Sequence, residues 1–213
     1  MDQDFLAERK LMVSRQLMRG GISDRRVLES FASIPRHLFV PMEYRKFAYE
    51  DRPLLIGFKQ TISQPYIVAY MTQSLALTGV ERVLEVGTGS GYQAAILSRL
   101  VAEVHTVELI FALAERAKET LDGLGITNVH VHIGDGSLGW DEAAPYDAIL
   151  VSAAGSRVLK SLLQQLANGG RMILPVGEPG FQNLELWHCE GGLFSKETLL
   201  PVAFVPLRGR EGM

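Results

Sequence analysis

The sequence predicts an α/β fold: a doubly wound, mainly parallel sheet with an N-terminal helical addition and a C-terminal antiparallel hairpin. Three observations predict it. From Gly79 onward, short apolar strand-like runs alternate with helix-like runs, the signature of βαβ units with helices on both faces of a sheet. Within that region Val83 to Ala95 reads VLEVGTGSGYQAA, an apolar strand passing through glycines into an apolar helix. Beyond Gly177 the alternation gives way to two extended stretches joined by Gly191-Gly192, which reads as a hairpin at the sheet edge.

In chain order, Phe5, Leu6, Val13, Leu17 and Met18 fall near helical spacing between Asp4 and Arg19, and Gly20-Gly21 ends that helix. Ser23 is the cap candidate for a second helix that turns Val27, Leu28 and Phe31 inward and stops by Pro35. Pro35, Pro41 and Pro53 make the stretch to Gln60 irregular. Thr61-Ile62-Ser63-Gln64-Pro65 then leads into a helix over Tyr66 to Leu77, with Pro65 in its first turn and Ser63 at or just before its cap. The strands follow at Glu81 to Val86, Val104 to Glu108, Val129 to Ile133, Asp147 to Val151 and Met172 to Val176. Helices are expected at Gln93 to Leu100, Phe111 to Leu121 and Val158 to Ala167, and Asn168-Gly169-Gly170 reads as the last helix's exit. The final strands are Asn183 to Cys189 and an apolar stretch ending Val202 to Leu207. These divide the chain into a helical, substrate-facing segment at 1–78, an α/β core at 79–177 and a completing hairpin at 178–213.

At 213 residues and 47% hydrophobic content the chain can bury a sizeable core as one domain. A formal charge of −3 and a pI near 6.0 give no basic footprint, so neither nucleic acid nor an anionic membrane is an expected partner. Asp2, Asp4, Glu8, Arg9 and Lys10 interrupt the N-terminus too densely for a secretory signal or a membrane span, and the lone Cys189 suits a reducing compartment. A cytoplasmic monomer is expected.

In an open α/β sheet, ligands bind beyond the carboxyl ends of the strands, so the residues there are the site candidates. Gly87, Gly89 and Gly91, with Thr88 and Ser90 between them, allow a tight turn whose backbone can touch a ligand. Their GxGxG spacing differs from the GxGxxG of dinucleotide sites, and Glu85 stands just before them. An acid ahead of such a turn suits a ligand with an ammonium group and no pyrophosphate, and S-adenosylmethionine is one. Glu108, at the end of the next strand and followed by Leu109, suits a ribose diol, which nicotinamide and adenosylmethionine cofactors share. Asp135, followed by Gly136, suits an adenine amino group or a plain turn. His130 and His132 share a strand face, and with Asp135 they make an incomplete metal set, so no metal is expected; His37, His105 and His188 stand singly. There is no GxSxG elbow, no P-loop and no cluster of general acids and bases. That fits methyl transfer to a carboxylate, which is already ionised near neutral pH and needs orientation more than a base. A hydroxyl such as that of Ser63 at a helix start would orient it.

Taken together, Thr61 to Pro65, Glu85 to Gly91, Gly134-Asp135-Gly136, Pro145 to Ile149, Gly169 to Met172, Pro175-Val176-Gly177 and Phe204 to Leu207 resemble protein-L-isoaspartate O-methyltransferases, over about Arg36 to Leu207. The resemblance implies a methyltransferase-type doubly wound fold and methyl transfer from S-adenosylmethionine, leaving S-adenosylhomocysteine, to the α-carboxylate of L-isoaspartyl residues in damaged proteins and peptides. The ester then closes to a succinimide that partly restores aspartate. It makes Ser63 the active-site serine and places Thr61 and Ile62, with Ala203 and Phe204, along the substrate. Glu85 and Gly87 to Gly91 become the cofactor loop, Glu108 and Leu109 the ribose side, and Asp135-Gly136 the adenine side. Two positions depart from many bacterial members: Lys59, near which a glycine is usual, and Ala203, where an arginine is usual.

Overall fold

The structure, a computed structural model, describes residues 5–212; Asp2 and Asp4, which the sequence reading used, lie outside the described residues. The central sheet has seven strands: β3 (Arg82–Val86), β4 (Glu103–Glu108), β5 (Val129–Ile133), β6 (Tyr146–Val151), β7 (Leu166–Glu178), β8 (Phe181–Glu190) and β9 (Leu193–Val202), in the order β5-β4-β3-β6-β7-β8-β9. The first five are parallel, while β8 and β9 pair antiparallel at one edge. The chain moves outward one way from β3 to β5 and then crosses to the other side at β6. The crevice where the order reverses therefore lies between the carboxyl ends of β3 and β6, where such sheets bind ligands.

Alternation along β3 divides the interior into two layers. Val83 joins a cluster with Ile96 and Leu97 of α4 (Tyr92–Ser98), Leu113 and Leu121 of α5 (Phe111–Gly123), and Phe31 of α2 (Arg25–Ser33). Leu84 and Val86 point the other way, onto Ile149, Met172 and Leu162 of α6 (Lys160–Gln164). The first layer also takes in Met12, Leu184 and Leu186, so all three expected sequence segments contribute to one core. No helix among the described residues is long and apolar enough to cross a membrane.

Several elements differ from expectation for local reasons. The first helix is α-helical only over α1 (Leu6–Leu11) and continues as a π-helical stretch, Met12–Leu17. Hydrogen bonds five residues apart bring Met12 and Leu17 to the same side, and both are fully buried. Helix α2 is capped by Asp24, whose carboxylate accepts from Arg26 N at 2.8 Å, while Ser23 donates its amide to Gln73 Oε1 at 2.7 Å. The stretch before Ser63 contains a small hairpin, β1 (Leu54–Gly57) and β2 (Gln60–Ile62), closed by Phe58 and Lys59 at φ of 53° and 60°. A two-residue loop with both residues in the left-handed region is a hairpin geometry that favours glycine. A lysine at the second of these positions therefore carries strain of about 1 kcal/mol. Asn168-Gly169-Gly170 is a bulge inside β7, since the register jumps from Tyr146–Leu166 to Ala148–Arg171, and Asn168 Oδ1 accepts from Gly191 N at 2.6 Å. The apolar tail Val205 to Leu207 leaves the edge strand and returns to the end of β6, with Ala154 N donating to Val205 O and Leu207 N to Ala154 O, both at 2.8 Å.

Candidate active site

The turn after β3 is shaped by its glycines at φ of 90° (Gly87), 55° (Gly89) and 86° (Gly91). Gly87 N donates to Val107 O at 2.9 Å, which fixes the turn against β4. Gly91 caps α4, and a Cβ there would stand 3.1 Å from Ala117 Cβ of α5, so its role is packing. Thr61, Ile62, Ser63, Glu85, Gly87, Thr88, Gly89, Ser90, Glu108, Leu109 and Gly136 all line one cleft at this turn, of about 930 Å³ with its open mouth included. Gly91 and Asp135 stand outside its lining.

Glu85 lies fully buried beneath the turn. Thr106 Oγ1 donates to its Oε2 at 2.6 Å, and Thr88 Oγ1 lies 2.7 Å from Thr106 Oγ1, but Oε1 has no hydrogen-bond partner among the described residues. Burial pushes the carboxyl up to about 8, against the Thr106 hydrogen bond and with help from the negative charge of Glu108. An orphaned buried acceptor bordering a cleft is what an incoming ammonium group fits. Glu108 is nearly buried too; its Oε2 accepts from Gly89 N at 2.8 Å and its Oε1 from Ile110 N at 2.9 Å, which aims the carboxylate and leaves one lone pair per oxygen for a diol. Asp135 is committed elsewhere. Its Oδ1 accepts from Ser137 N at 3.0 Å and Ser137 Oγ at 2.6 Å, and its Oδ2 from Arg210 N at 2.7 Å, which lowers its pKa and ties the C-terminal segment to the turn. Gly136 takes the place beside the cleft; a Cβ there would stand 2.8 Å from Val86 Cγ1.

Ser63 precedes α3 (Pro65–Ser74), yet Gln64 occupies the N-cap position and makes no side-chain cap bond. The capping comes from a distance, with Asp51 Oδ1 accepting from Tyr66 N at 2.9 Å. Ser63 is therefore not held as a capping serine, and no hydrogen bond ties its hydroxyl among the described residues. Its backbone is fixed from below by Arg36, which donates from Nη2 to Ser63 O and from Nε to Ala48 O, each at 2.8 Å. Arg36 is fully buried, stacks 4.8 Å over the Tyr92 ring, and has its pKa lowered to about 10 by burial. Arg36→Met, which keeps much of the volume but strands two carbonyls, is expected to lower unfolding free energy by about 2 kcal/mol. Urea titration checks this, and an unchanged midpoint and slope would show that the carbonyls do not depend on Arg36.

A second cavity adjoins the first and is lined by Ala203 and Phe204 together with Gln64, Tyr66 and Ile67. Thr61, Ser63, Ser152 and Val205 line both cavities, so Ser63 stands at their junction. Phe204 is positioned by Gln182, whose Oε1 accepts from Phe204 N at 2.6 Å and whose Nε2 donates to Phe204 O at 3.2 Å. Sequence reasoning gave no role to Arg36, Gln60, Ser152 or Arg208. Ser152 had a readable signal, since it follows the last residue of β6 directly.

The histidine reading is corrected. His105, singled out as isolated, hydrogen-bonds His132 (Nδ1 to Nε2, 2.9 Å) and stacks on His130 with ring centroids 5.0 Å apart. The parallel register sets His105 opposite His130, a proximity that sequence spacing does not reveal. Asp135, the third member considered, is engaged by Ser137 and Arg210 instead.

The buried carboxylate under the glycine turn suits an ammonium group better than a pyrophosphate, and the fold and the comparisons together define the class: an S-adenosylmethionine-dependent methyltransferase. The family model described as protein-L-isoaspartate(D-aspartate) O-methyltransferase matches residues 7–212. The chain belongs to the protein-L-isoaspartate O-methyltransferase family. It is 54% identical over 206 residues to the protein-L-isoaspartate O-methyltransferase of Roseiflexus sp. (strain RS-1), covering 97% of this chain and 94% of that one. It is 49% identical over 210 residues to that of Syntrophotalea carbinolica, covering 98% and 97%. A solved protein-L-isoaspartate O-methyltransferase structure superposes with a TM-score of 0.84 at 30% identity, over 100% of this chain and 67% of that one. The fold is shared too by a Plasmodium falciparum structure of that description in complex with S-adenosyl-L-homocysteine, with a TM-score of 0.82 at 24% identity over 94% and 98%.

Proposed function

We propose that this chain repairs damaged proteins by transferring a methyl group from S-adenosylmethionine to the α-carboxylate of L-isoaspartyl residues, with Ser63 at the point of transfer. The observation that carries the placement is that Ser63 lines both cavities, the one at the glycine turn and the one bounded by Ala203 and Phe204. S-adenosylmethionine, when bound, supplies an electrophilic methyl on a sulfonium. In this reading Glu85 holds the ammonium group, Glu108 the ribose hydroxyls with Leu109 beside them, and the amides of Gly87 to Ser90 follow the ligand's backbone. Gly136 leaves room for the adenine, while Asp135 closes the C-terminal segment near it. Gly91 supports the turn from behind. The isoaspartyl peptide enters along Ala203 and Phe204, with Thr61 and Ile62 opposite, and the Ser63 hydroxyl donates to its carboxylate and orients it without quenching its nucleophilicity. A cytoplasmic place of action suits the single free thiol, Cys189, which is buried.

The test is transfer of labelled methyl to two synthetic peptides identical except for L-isoaspartate or L-aspartate at one position. Base-labile label on the isoaspartyl peptide alone is expected; label on neither, with cofactor binding intact, would overturn the substrate. The Glu85 assignment carries its own pH dependence. With its carboxyl raised to about 8, the cofactor-free protein holds a proton there at pH 7, and binding an ammonium group drives that proton off. Affinity for S-adenosylhomocysteine is therefore expected to rise as pH goes from 7 through 8, by up to about tenfold, and to level off above it. Calorimetry in buffers of different ionisation enthalpy should show proton release in the wild type and less in Glu85→Gln, a comparison in which the ligand's own titration cancels. Equal proton release in both would remove Glu85 as the ammonium partner.

A further inference from the structure

On the sheet face opposite α5, at the far end of β4 from Glu108, two strands bring together a carboxylate and three imidazoles. Glu103 Oε1 lies 3.3 Å from His105 Nε2 and 3.2 Å from His130 Nε2, and the three atoms lie within 4.8 Å of one another. Ligands about 2.0–2.1 Å from a tetrahedral metal stand about 3.3 Å apart. Two of the three separations thus already match a coordination sphere.

The surroundings are built as an outer shell would be. Arg82 Nε donates to Glu103 Oε2 at 2.8 Å, which turns Oε1 toward the imidazoles. His132 meets His105 Nδ1 through its Nε2 at 2.9 Å, and His132 is itself held flat against Trp140 with centroids 4.2 Å apart. In the tautomer where Nδ1–H donates to His132, the His105 Nε2 lone pair faces the site, and this is the tautomer a bound metal would select, with the outer partner taking the other N–H. His105 is 8% exposed, and its Nε2 makes no well-aligned hydrogen bond among the described residues, with Glu103 Oε1 3.3 Å away its one polar neighbour in the cluster, so a nearly buried polar atom faces this site incompletely satisfied. The His130 side chain, 46% exposed, leaves one side open to water and to an entering ion.

We propose that Glu103, His105 and His130 form a binding site for a divalent transition metal of the zinc type, with His132 and Arg82 as positioning residues and solvent completing the coordination. Two imidazoles and one carboxylate select zinc, cobalt(II) or nickel over magnesium or calcium, which take all-oxygen sites. The ion would join β5, an edge strand, to β4 at a point roughly 10–16 Å along the strand from Glu108, counted at about 3.3 Å per residue. It would therefore act on the edge of the sheet and leave methyl transfer alone.

The test uses the full chain stripped with chelator and titrated with Zn²⁺ against a competing indicator, and with Co²⁺ by visible absorption. One equivalent bound with micromolar or tighter affinity, and a tetrahedral cobalt spectrum, is expected. His130→Ala should weaken zinc at least tenfold while methyl transfer stays at the wild-type rate, which shows the variant is folded; Glu103→Gln should weaken it likewise, and His188→Ala should not. His132→Phe should weaken it by about 10–100-fold if the outer partner fixes the His105 tautomer. No saturable binding up to a millimolar, or equal affinity in wild type and His130→Ala, would overturn the site.

Discussion

Ser63→Ala is expected to lower kcat on an isoaspartyl peptide by about 10²–10³-fold, the loss that follows removal of a single preorganised donor at a reacting group. Affinity for S-adenosylhomocysteine and thermal stability should stay as in the wild type. The structural grounds are separable: Arg36 holds the Ser63 backbone carbonyl, which alanine keeps, and the start of α3 is capped by Asp51. The hydroxyl carries neither duty, so its deletion reports on chemistry alone. A Ser63→Thr variant keeps the donor but adds a methyl where the two cavities meet, and is expected to raise KM for peptide more than it lowers kcat. Single-turnover kinetics at saturating cofactor distinguish these; turnover in Ser63→Ala within threefold of wild type would place the orienting group elsewhere at the junction, with Thr61 and Ser152 the remaining hydroxyls there.

What the sequence made legible is what local pattern encodes. Buried parallel strands are largely apolar runs, and the strand expected at Asp147 to Val151 is β6, one residue longer at Tyr146–Val151; the alternating edge strand Val129–Ile133 has the predicted limits. The glycine turn was readable because φ near 90° at Gly87 admits few other residues. Glu85 and Glu108 were readable because acids at the ends of apolar strands stand at the sheet's ligand edge. What stayed hidden depends on residues that meet only in space. Asp51 caps a helix that starts 14 positions later, since its carboxylate reaches across the hairpin to Tyr66 N. Arg36 is a fully buried cation whose partners are the carbonyls of Ala48 and Ser63, and carbonyls leave no mark in a sequence. His105 meets His130 through strand register. Asp135 shows the converse, a residue type with two readings of which its hydrogen bonds to Ser137 and Arg210 favour the turn. Ser23, the expected cap, and Asp24, the observed one, differ by one position; Gln73, distant in sequence, takes the amides of both while the Asp24 side chain turns to the helix.

Glu108→Ala is expected to weaken S-adenosylhomocysteine binding by about 10²–10⁴-fold, because two charge-assisted hydrogen bonds to the ribose are lost together at about 1.5–3 kcal/mol each. Part of that cost is indirect. Glu108 also accepts from Gly89 N and Ile110 N, so its removal strands an amide in the turn that the ligand would contact. Glu108→Gln separates the two contributions: the amide keeps one carbonyl oxygen, but its NH₂ must face either Gly89 N or Ile110 N, donor against donor. Both variants should therefore lose affinity, with Gln closer to Ala than to the wild type. At saturating cofactor, kcat should recover to within about tenfold, since Ser63 and the peptide side of the junction are untouched, and the defect should sit in KM for S-adenosylmethionine. Calorimetric titration with S-adenosylhomocysteine, alongside circular dichroism to confirm the fold, makes the measurement. Binding within threefold of wild type in Glu108→Ala would reduce this carboxylate to a brace for the glycine turn and leave the ribose to be held by backbone alone.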